Sequence, residues 1–127
     1  MKSVLRRILI CDDVADDSFL LKTILQAEDC LVEIVDSGAG VLALLETNHN
    51  APDLLILDVM MPEMNGFEVV RQLRESTKFP FISILLVTSL NDDDANKDLD
   101  IKIDGFIQKP IDPDVVIAQV RRILSKS

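Results

Sequence analysis

The chain alternates short apolar runs with longer amphipathic stretches, and this alternation constrains the fold more than any other feature. Five runs recur along the sequence, at residues 8–11, 31–35, 54–57, 82–87 and, more weakly, 105–107. The third and fourth runs are almost wholly apolar. Such runs are typical of strands that are covered on both faces, as in a parallel sheet.

The stretches between the runs carry apolar residues at spacings of three and four, which is the period of a helix. In the first stretch Leu21, Ile24 and Leu25 share one face, and Asp16 or Asp17 is predicted to cap its start. The second stretch has Val41, Leu44 and Leu45 after Gly40. The third has Phe67, Val70 and Leu73 after a predicted cap at Asn65. The last has Val116, Val120 and Ile123 after Asp112-Pro113.

The stretch between the fourth and fifth runs is the least regular. An acidic segment at residues 91–94 suits a helix start, but few apolar residues follow up to Asp104. With a helix there, the order is five strand–helix repeats, which build a parallel sheet with right-handed crossovers and helices on both faces. We therefore expect an α/β fold, a doubly wound (βα)5 sandwich of flavodoxin-like arrangement with a five-stranded parallel sheet.

Length and composition suit one folded domain. The chain has 127 residues, of which 48% are hydrophobic, so we expect residues 1–127 to form a single domain with frayed ends at 1–5 and 125–127. The net charge of −9 argues against nucleic acids and anionic membranes as partners.

Two further patterns predict a cytoplasmic protein. No apolar run approaches the ~18 residues of a membrane span, and the first run is too short for a signal peptide. Cys11 and Cys30 have no CxxC spacing and are interpreted as buried free thiols of a reducing compartment.

Polar residues follow four of the predicted strands. They are Asp12 and Asp13 after the first strand, Asp58 after the third, Thr88 and Ser89 after the fourth, and Lys109 after the fifth. Each has an ordinary explanation by itself, as a turn residue, a helix cap or a surface lysine. Because ligands of open α/β sheets bind outside the carboxyl ends of the strands, their joint occurrence favours a functional site.

The residue types at this edge favour magnesium and phosphate chemistry. Clustered carboxylates repel one another unless a cation is present, and Mg²⁺ prefers oxygen ligands. The only histidine, His49, lies in a polar loop and is interpreted as a solvated residue. An aspartate can act as a nucleophile and form an aspartyl-phosphate, which favours Asp58 as the acceptor. Lys109 and Thr88 would then bind phosphoryl oxygens, and the small side chain of Ser89 would leave space for the phosphoryl group.

Four segments carry a resemblance to a known family. They are ILICDD at 8–13, DVMMPEMNG at 58–66, VTS at 87–89, and Lys109-Pro110. The D-x-x-M-P-x-M-x-G run is highly specific, and the set occurs in the correct order. Over essentially its whole length the chain resembles the response-regulator receiver domain of two-component signalling, of the single-domain, chemotaxis-regulator-like type.

The resemblance implies a phosphorelay role for the site. Asp58 would accept a phosphoryl group from a histidine kinase or a histidine phosphotransfer protein. Mg²⁺ would be held by Asp12, Asp13, Asp58 and the main-chain carbonyl of Met60.

The resemblance also implies how the signal is bound and read. Thr88, Lys109 and Ser89 would bind the phosphoryl group, Thr88 and Phe106 would form the switch, and the peptide bond before Pro110 would be cis. The family pattern before the fifth strand is replaced here at residues 101–106, and the segment from Thr88 to Lys109 is one residue short. The helix expected in this segment therefore departs from the family pattern.

The expected activity is signalling rather than enzymatic turnover. The chain would phosphorylate itself from a donor and dephosphorylate slowly. In this family the residues two positions after the acceptor Asp and after the Thr influence attack of water on the aspartyl-phosphate, and here they are the apolar Met60 and Leu90. The downstream partner would be a protein that the sequence does not identify, and the chain would be a monomer or a weak dimer.

Three other functions were weighed. A flavodoxin-like electron carrier shares the fold class, but the acidic loop after the first strand would repel a flavin phosphate. A magnesium-dependent phosphatase would need its nucleophile on the first strand and a second Asp two residues later, which Asp12 and Asp13 do not match. A receiver that serves only as a docking module would not need every chemical position filled.

Overall fold

The computed structural model describes residues 5–47, 51–90 and 102–126, which form one sheet with helices on both of its faces. The strands are β1 (Arg7–Cys11), β2 (Leu31–Val35), β3 (Leu54–Leu57), β4 (Ile84–Thr88) and β5 (Gly105–Gln108). The helices are α1 (Ala15–Gln26), α2 (Gly38–Thr47), α3 (Gly66–Glu75) and α4 (Pro113–Leu124).

The sheet is parallel throughout, in the order β2-β1-β3-β4-β5. The predicted α/β fold with a five-stranded parallel sheet is confirmed. The chain proceeds from β1 to β2 on one side and then returns to β3 on the other, so a crevice opens between the carboxyl ends of β1 and β3. In this register Cys11 pairs with Leu57, which places Asp12 beside Asp58 just beyond the strands.

Alternation along the strands supplies two apolar cores. Ile8 and Ile10 of β1 belong to the core beneath α1 and α4, whereas Leu9 and Cys11 belong to the core beneath α2 and α3. Every residue of β3 and β4 is buried, as their unbroken apolar runs predict, but the edge strand β2 leaves Leu31 and Ile34 exposed. The strands β3 and β4, whose carboxyl ends lead into Asp58 and Thr88, are therefore covered on both faces.

The predicted cap of α3 and the predicted start of α4 are confirmed. The side chain of Asn65 accepts a hydrogen bond from the amide of Glu68, whose carboxylate accepts one from the amide of Asn65, so α3 begins with a full capping box. Asp112 caps α4 by accepting from the amide of Asp114, ahead of a proline in the first turn.

The predicted cap of α1 is wrong. The residue before α1 is Val14, whose amide donates to Oδ1 of Asp12 at 2.9 Å. Asp12 thus makes the turn, and Asp16 and Asp17 lie inside the first helical turn. The cause is the short polar side chain of Asp12, which bonds to the main chain two residues later.

Two predicted boundaries shift by two residues. Helix α2 begins at Gly38, two residues before Gly40. The amide of Gly40 donates to the Ser37 hydroxyl at 3.0 Å. Strand β4 begins at Ile84, although Ile82 is buried. The buried Ile82 explains why an apolar run overstates the length of the strand.

Several predictions fall outside the described residues. These are most of the helix between β4 and β5, the loop containing His49, and part of the predicted terminal fraying. Both cysteines are free thiols, Cys11 buried and Cys30 half-buried. Across the described ranges no helix combines the length and the apolar content that a membrane crossing requires.

Candidate functional site

The carboxyl edge of the sheet carries the acidic residues that the sequence singled out. Asp12 follows β1 and Asp58 follows β3, and these residues are only 3% and 4% exposed. Thr88, the last residue of β4, is wholly buried, while Asp13 and Ser89 are exposed. Burial of two adjacent carboxylates is costly without compensating charge, which separates this edge from an ordinary solvated acidic surface.

Lys109 supplies a compensating charge within the site. It follows β5, its amide donates to the Thr88 carbonyl at 2.8 Å, and its side chain is 13% exposed. Its Nζ lies 3.0 Å from Oδ2 of Asp12 and 3.1 Å from Oδ2 of Asp58. The peptide bond from Lys109 to Pro110 is cis, as the resemblance implies.

Asp17 is a member of this site that sequence reasoning missed. Its Oδ2 lies 2.6 Å from Nζ of Lys109, closer than either Asp12 or Asp58. The available signal was its place in the first turn of α1, the helix that follows Asp12 and Asp13. The first turn of this helix also lies at the carboxyl edge of the sheet.

The loop after β3 fixes the main chain at Asp58. The amide of Met60 donates to Oδ1 of Asp58 at 3.1 Å, and the amide of Gly66 donates to the Val59 carbonyl at 2.9 Å. A Cβ at Gly66 would lie 2.5 Å from the carbonyl oxygen of Asp58, so only glycine fits there. Glu63 turns the loop in the left-handed region, with φ of 69°.

Burial and hydrogen bonds shift the pKa values of Asp12 and Lys109. Burial raises the pKa of Asp12, against the opposing hydrogen bonds from the Val14 amide and Lys109. Burial lowers the pKa of Lys109, but hydrogen bonds to Asp17, Asp12 and Asp58 outweigh it, and the pKa is raised overall. Lys109 therefore remains a cation at neutral pH.

Cys11 lies just below the site and does not contribute a nucleophile. Burial, followed by the negative charge of Asp12, raises the pKa of the Cys11 thiol to about 12. Its Sγ lies 3.5 Å from Sδ of Met61 inside the core beneath α2 and α3. Since the thiolate is the reactive form, an inert core thiol follows.

Three carboxylates of the site could hold a divalent cation. One oxygen each from Asp12, Asp13 and Asp58 lies within 4.8 Å of the other two. An all-carboxylate donor set matches the preference of Mg²⁺ for oxygen ligands and does not match that of zinc for nitrogen and sulfur. The residues present therefore fit a magnesium ion.

The remaining predicted site residues lie around this cluster. The hydroxyl of Ser89 donates to Sδ of Met60 at 3.4 Å, and Met60 is 54% exposed. The amide of Leu90 donates to the Thr88 hydroxyl at a long 3.4 Å. Phe106 is half-buried and packs against the core beneath α2 and α3, at the level of Leu86 on β4.

Comparison with known proteins decides the family. The family model described as response regulator receiver domain matches residues 8–121. The chain belongs to this family. Members are receivers of two-component signalling that are phosphorylated on aspartate by histidine kinases.

Individual receivers agree with this assignment. The receiver domain of a signal transduction histidine kinase from Syntrophus aciditrophicus superposes with a TM-score of 0.86 at 34% identity, covering 95% of this chain and 91% of that one. The chemotaxis response regulator CheY4 of Vibrio cholerae has a TM-score of 0.85 at 26% identity, over 94% of this chain and 99% of that one.

A curated relative is longer than the chain. The transcriptional regulatory protein CpxR of Klebsiella pneumoniae is 33% identical over 123 residues, which cover 97% of this chain and 51% of CpxR. The chain thus spans about half the length of this relative. The similarity concerns the receiver part, and an activity of the whole relative does not transfer with it.

Proposed function

We propose that Asp58 accepts a phosphoryl group from a histidine kinase or a histidine phosphotransfer protein, and that this event switches an output surface of the receiver. The observation that carries the proposal is a carboxylate only 4% exposed, bonded at 3.1 Å to the ammonium of Lys109 and grouped with two further carboxylates. Such a group combines a nucleophile with charge compensation, which phosphoryl transfer requires. A cytoplasmic location, where a kinase is accessible, belongs to the proposal.

The chemistry follows from the positions of the charges. An oxygen of Asp58 attacks the phosphorus of a phosphohistidine, so that a P–O bond forms while the P–N bond breaks and the imidazole keeps the electron pair. Lys109 neutralises charge on a phosphoryl oxygen. Asp12, Asp13, Asp58 and the Met60 carbonyl would hold Mg²⁺, which supplies further positive charge to the phosphoryl oxygens when bound.

The switch would begin at Thr88, supported by Ser89 at the phosphoryl group. Among the described residues, the hydroxyl of Thr88 is held by the 3.4 Å contact from the Leu90 amide alone, so little there opposes its turning toward a phosphoryl oxygen. Phe106 would then repack into the space that Thr88 leaves. The surface remodelled in this way, around β5 and α4, would bind a downstream protein, and the receiver itself would act as a monomer or weak dimer.

Intact-mass measurement with a small donor tests the proposal. Wild-type protein mixed with acetyl phosphate and Mg²⁺ is expected to gain one phosphoryl group, whereas Asp58→Asn gains none. Asp16→Asn serves as the control, because Asp16 is an exposed carboxylate near the site with none of the site's contacts. Equal labelling of wild type and Asp58→Asn, or no labelling of wild type by acetyl phosphate and by a phosphorylated histidine phosphotransfer protein, would exclude Asp58 as the acceptor.

A further inference from the structure

The contact between Asp17 and Lys109 has no part in the chemistry proposed for Asp58. Asp17 stands in the first turn of α1, 92 residues before Lys109, and its Oδ2 is 2.6 Å from Nζ. It is not a member of the carboxylate group that could hold a cation, which consists of Asp12, Asp13 and Asp58. A fourth acid therefore binds the lysine without belonging to the metal site.

The hydrogen-bonding capacity of Lys109 is fully used in this arrangement. An ammonium has three hydrogens, and three carboxylate oxygens, from Asp12, Asp17 and Asp58, lie between 2.6 and 3.1 Å from Nζ. A phosphoryl oxygen can gain a hydrogen bond from Lys109 only by displacing one of them. The lysine is thus occupied before any phosphoryl group arrives.

The three acceptors differ in what happens to them during phosphorylation. Asp58 becomes the acyl phosphate, and Asp12 is grouped with the carboxylates suited to a cation, so the charge of both is engaged elsewhere. Asp17 keeps its full charge and its place on a helix. It is therefore the acceptor that continues to compete with the phosphoryl group for Lys109.

We propose that Asp17 is a positioning residue that holds Lys109 toward α1 and thereby limits how readily Lys109 reaches the phosphoryl group. The inference rests on the phosphoacceptor function proposed for Asp58. Its consequence is a brake on phosphorylation, because the negative charge of Asp17 both retains the lysine and repels an anionic donor. Removing that charge while keeping the shape of the side chain releases the brake.

Matched substitutions on one helical turn test this proposal. With acetyl phosphate and saturating Mg²⁺, Asp17→Asn is expected to gain phosphate about three- to tenfold faster than wild type. Asp16→Asn makes the same change in net charge one residue away and is expected to match wild type. Asp17→Glu, which restores the charge, is expected to return the rate toward the wild-type value.

A second readout reports the contact itself, without phosphate or metal. The ammonium protons of Lys109, observed by NMR in ¹⁵N-lysine protein, are expected to exchange with water several-fold faster in Asp17→Asn than in wild type or Asp16→Asn. A substitution that merely loosened the fold would also alter amide signals throughout α1. Faster ammonium exchange with an unchanged amide spectrum supports the positioning role.

The outcomes separate this inference from the function on which it rests. If wild type gains no phosphate from any donor, the proposed function fails and the brake fails with it. If wild type is phosphorylated on Asp58 but Asp17→Asn is no faster, only the inference about Asp17 is overturned. An equal acceleration in Asp17→Asn and Asp16→Asn also overturns it, because net charge rather than the contact with Lys109 would then be the cause.

Discussion

Two partly buried cations, one beyond the carboxyl ends of the strands and one at their amino ends, join segments around the sheet. At the carboxyl edge Lys109 binds three carboxylates, whereas at the amino edge Arg74 of α3 binds mainly main-chain carbonyls. The guanidinium of Arg74 donates to Ile82 at 2.6 Å and to Lys102 at 2.6 and 2.9 Å, with Asp104 at 3.7 Å. Both side chains are well covered, at 13% and 18% exposed.

The difference between the two edges lies in the acceptors. Carbonyls are neutral, so Arg74 bonds the segments that enter β4 and β5 with a single carboxylate of the described residues, that of Asp104, nearby. Lys109 balances only one of the carboxylates that surround it, and the surplus negative charge remains available to a metal ion. We therefore propose that Arg74 secures the fold, whereas Lys109 serves the chemistry proposed for Asp58.

The largest effect is expected from removing the cation of the carboxyl edge. Lys109→Met should slow phosphorylation by acetyl phosphate about 100-fold, because the phosphoryl oxygens lose their charged donor. Lys102→Met, at the opposite edge, should leave the rate unchanged, since only its main-chain carbonyl contacts Arg74. A Lys109→Met rate within threefold of wild type would mean that the lysine is as structural as Arg74.

The converse substitution should affect stability and not chemistry. Arg74→Met leaves the carbonyls of Ile82 and Lys102 without their donor and should lower the free energy of unfolding by about 2 kcal/mol, measured in urea. Arg74→Lys should recover only part of this loss, because an ammonium cannot reproduce the fork of the guanidinium. A slowed phosphorylation of folded Arg74→Met would contradict the separation of the two edges.

Magnesium should act on one edge alone. At a concentration ten times its dissociation constant, Mg²⁺ should stabilise the wild type by about 1.4 kcal/mol and raise Tm by roughly 5 °C. Asp13→Asn should reduce the shift, and Arg74→Met should retain it in full. Equal shifts in all three proteins would place the bound ion away from the carboxyl edge.

The pH dependence of that stabilisation has a definite sign. Burial raises the pKa of Asp12, so the folded state favours the protonated form of this carboxyl group. The proton contributes stability in acid, and this stability is lost as pH rises through the raised pKa. Bound Mg²⁺ compensates for the charge that then appears. The shift in Tm should therefore shrink when the same titration is repeated at lower pH, and a larger shift in acid would contradict this assignment.

The smallest effect concerns the lifetime of the phosphorylated state. Met60 and Leu90 border the site with apolar side chains that cannot orient a water molecule, so loss of the acyl phosphate should be slow. Met60→Asn and Leu90→Glu should each accelerate this loss about three- to fivefold, measured by intact mass at neutral pH with Mg²⁺. An unchanged lifetime in both variants would argue against the role of these positions.

The sequence predicted most of the sheet and the outline of the site. Apolar runs located the strands because β3 and β4 are buried on both faces, and Asn65 and Asp112 marked helix starts because their caps are local. The carboxyl edge followed from the order of the strands, which brings Asp12 and Asp58 side by side.

The parts that were missed depend on distant partners. A carboxylate in a first helical turn, such as Asp17, is favourable there by the helix dipole alone, and nothing local reveals a lysine 92 residues away. Arg74 likewise gives no sign of the carbonyls that its guanidinium reaches. Side chains whose role is to join remote segments are the ones that a local pattern describes incorrectly.

Gly66 brings the first turn of α3 into close contact with the main chain of Asp58. With no side chain between them, the first turn of the helix rests directly on the carbonyl of Asp58, where even a methyl group would lie 2.5 Å away. Because no side chain separates the two, a tilt of α3 would also move the main chain of Asp58. A larger residue at position 66 would therefore have to displace either the start of α3 or the main chain that carries the Asp58 carboxylate.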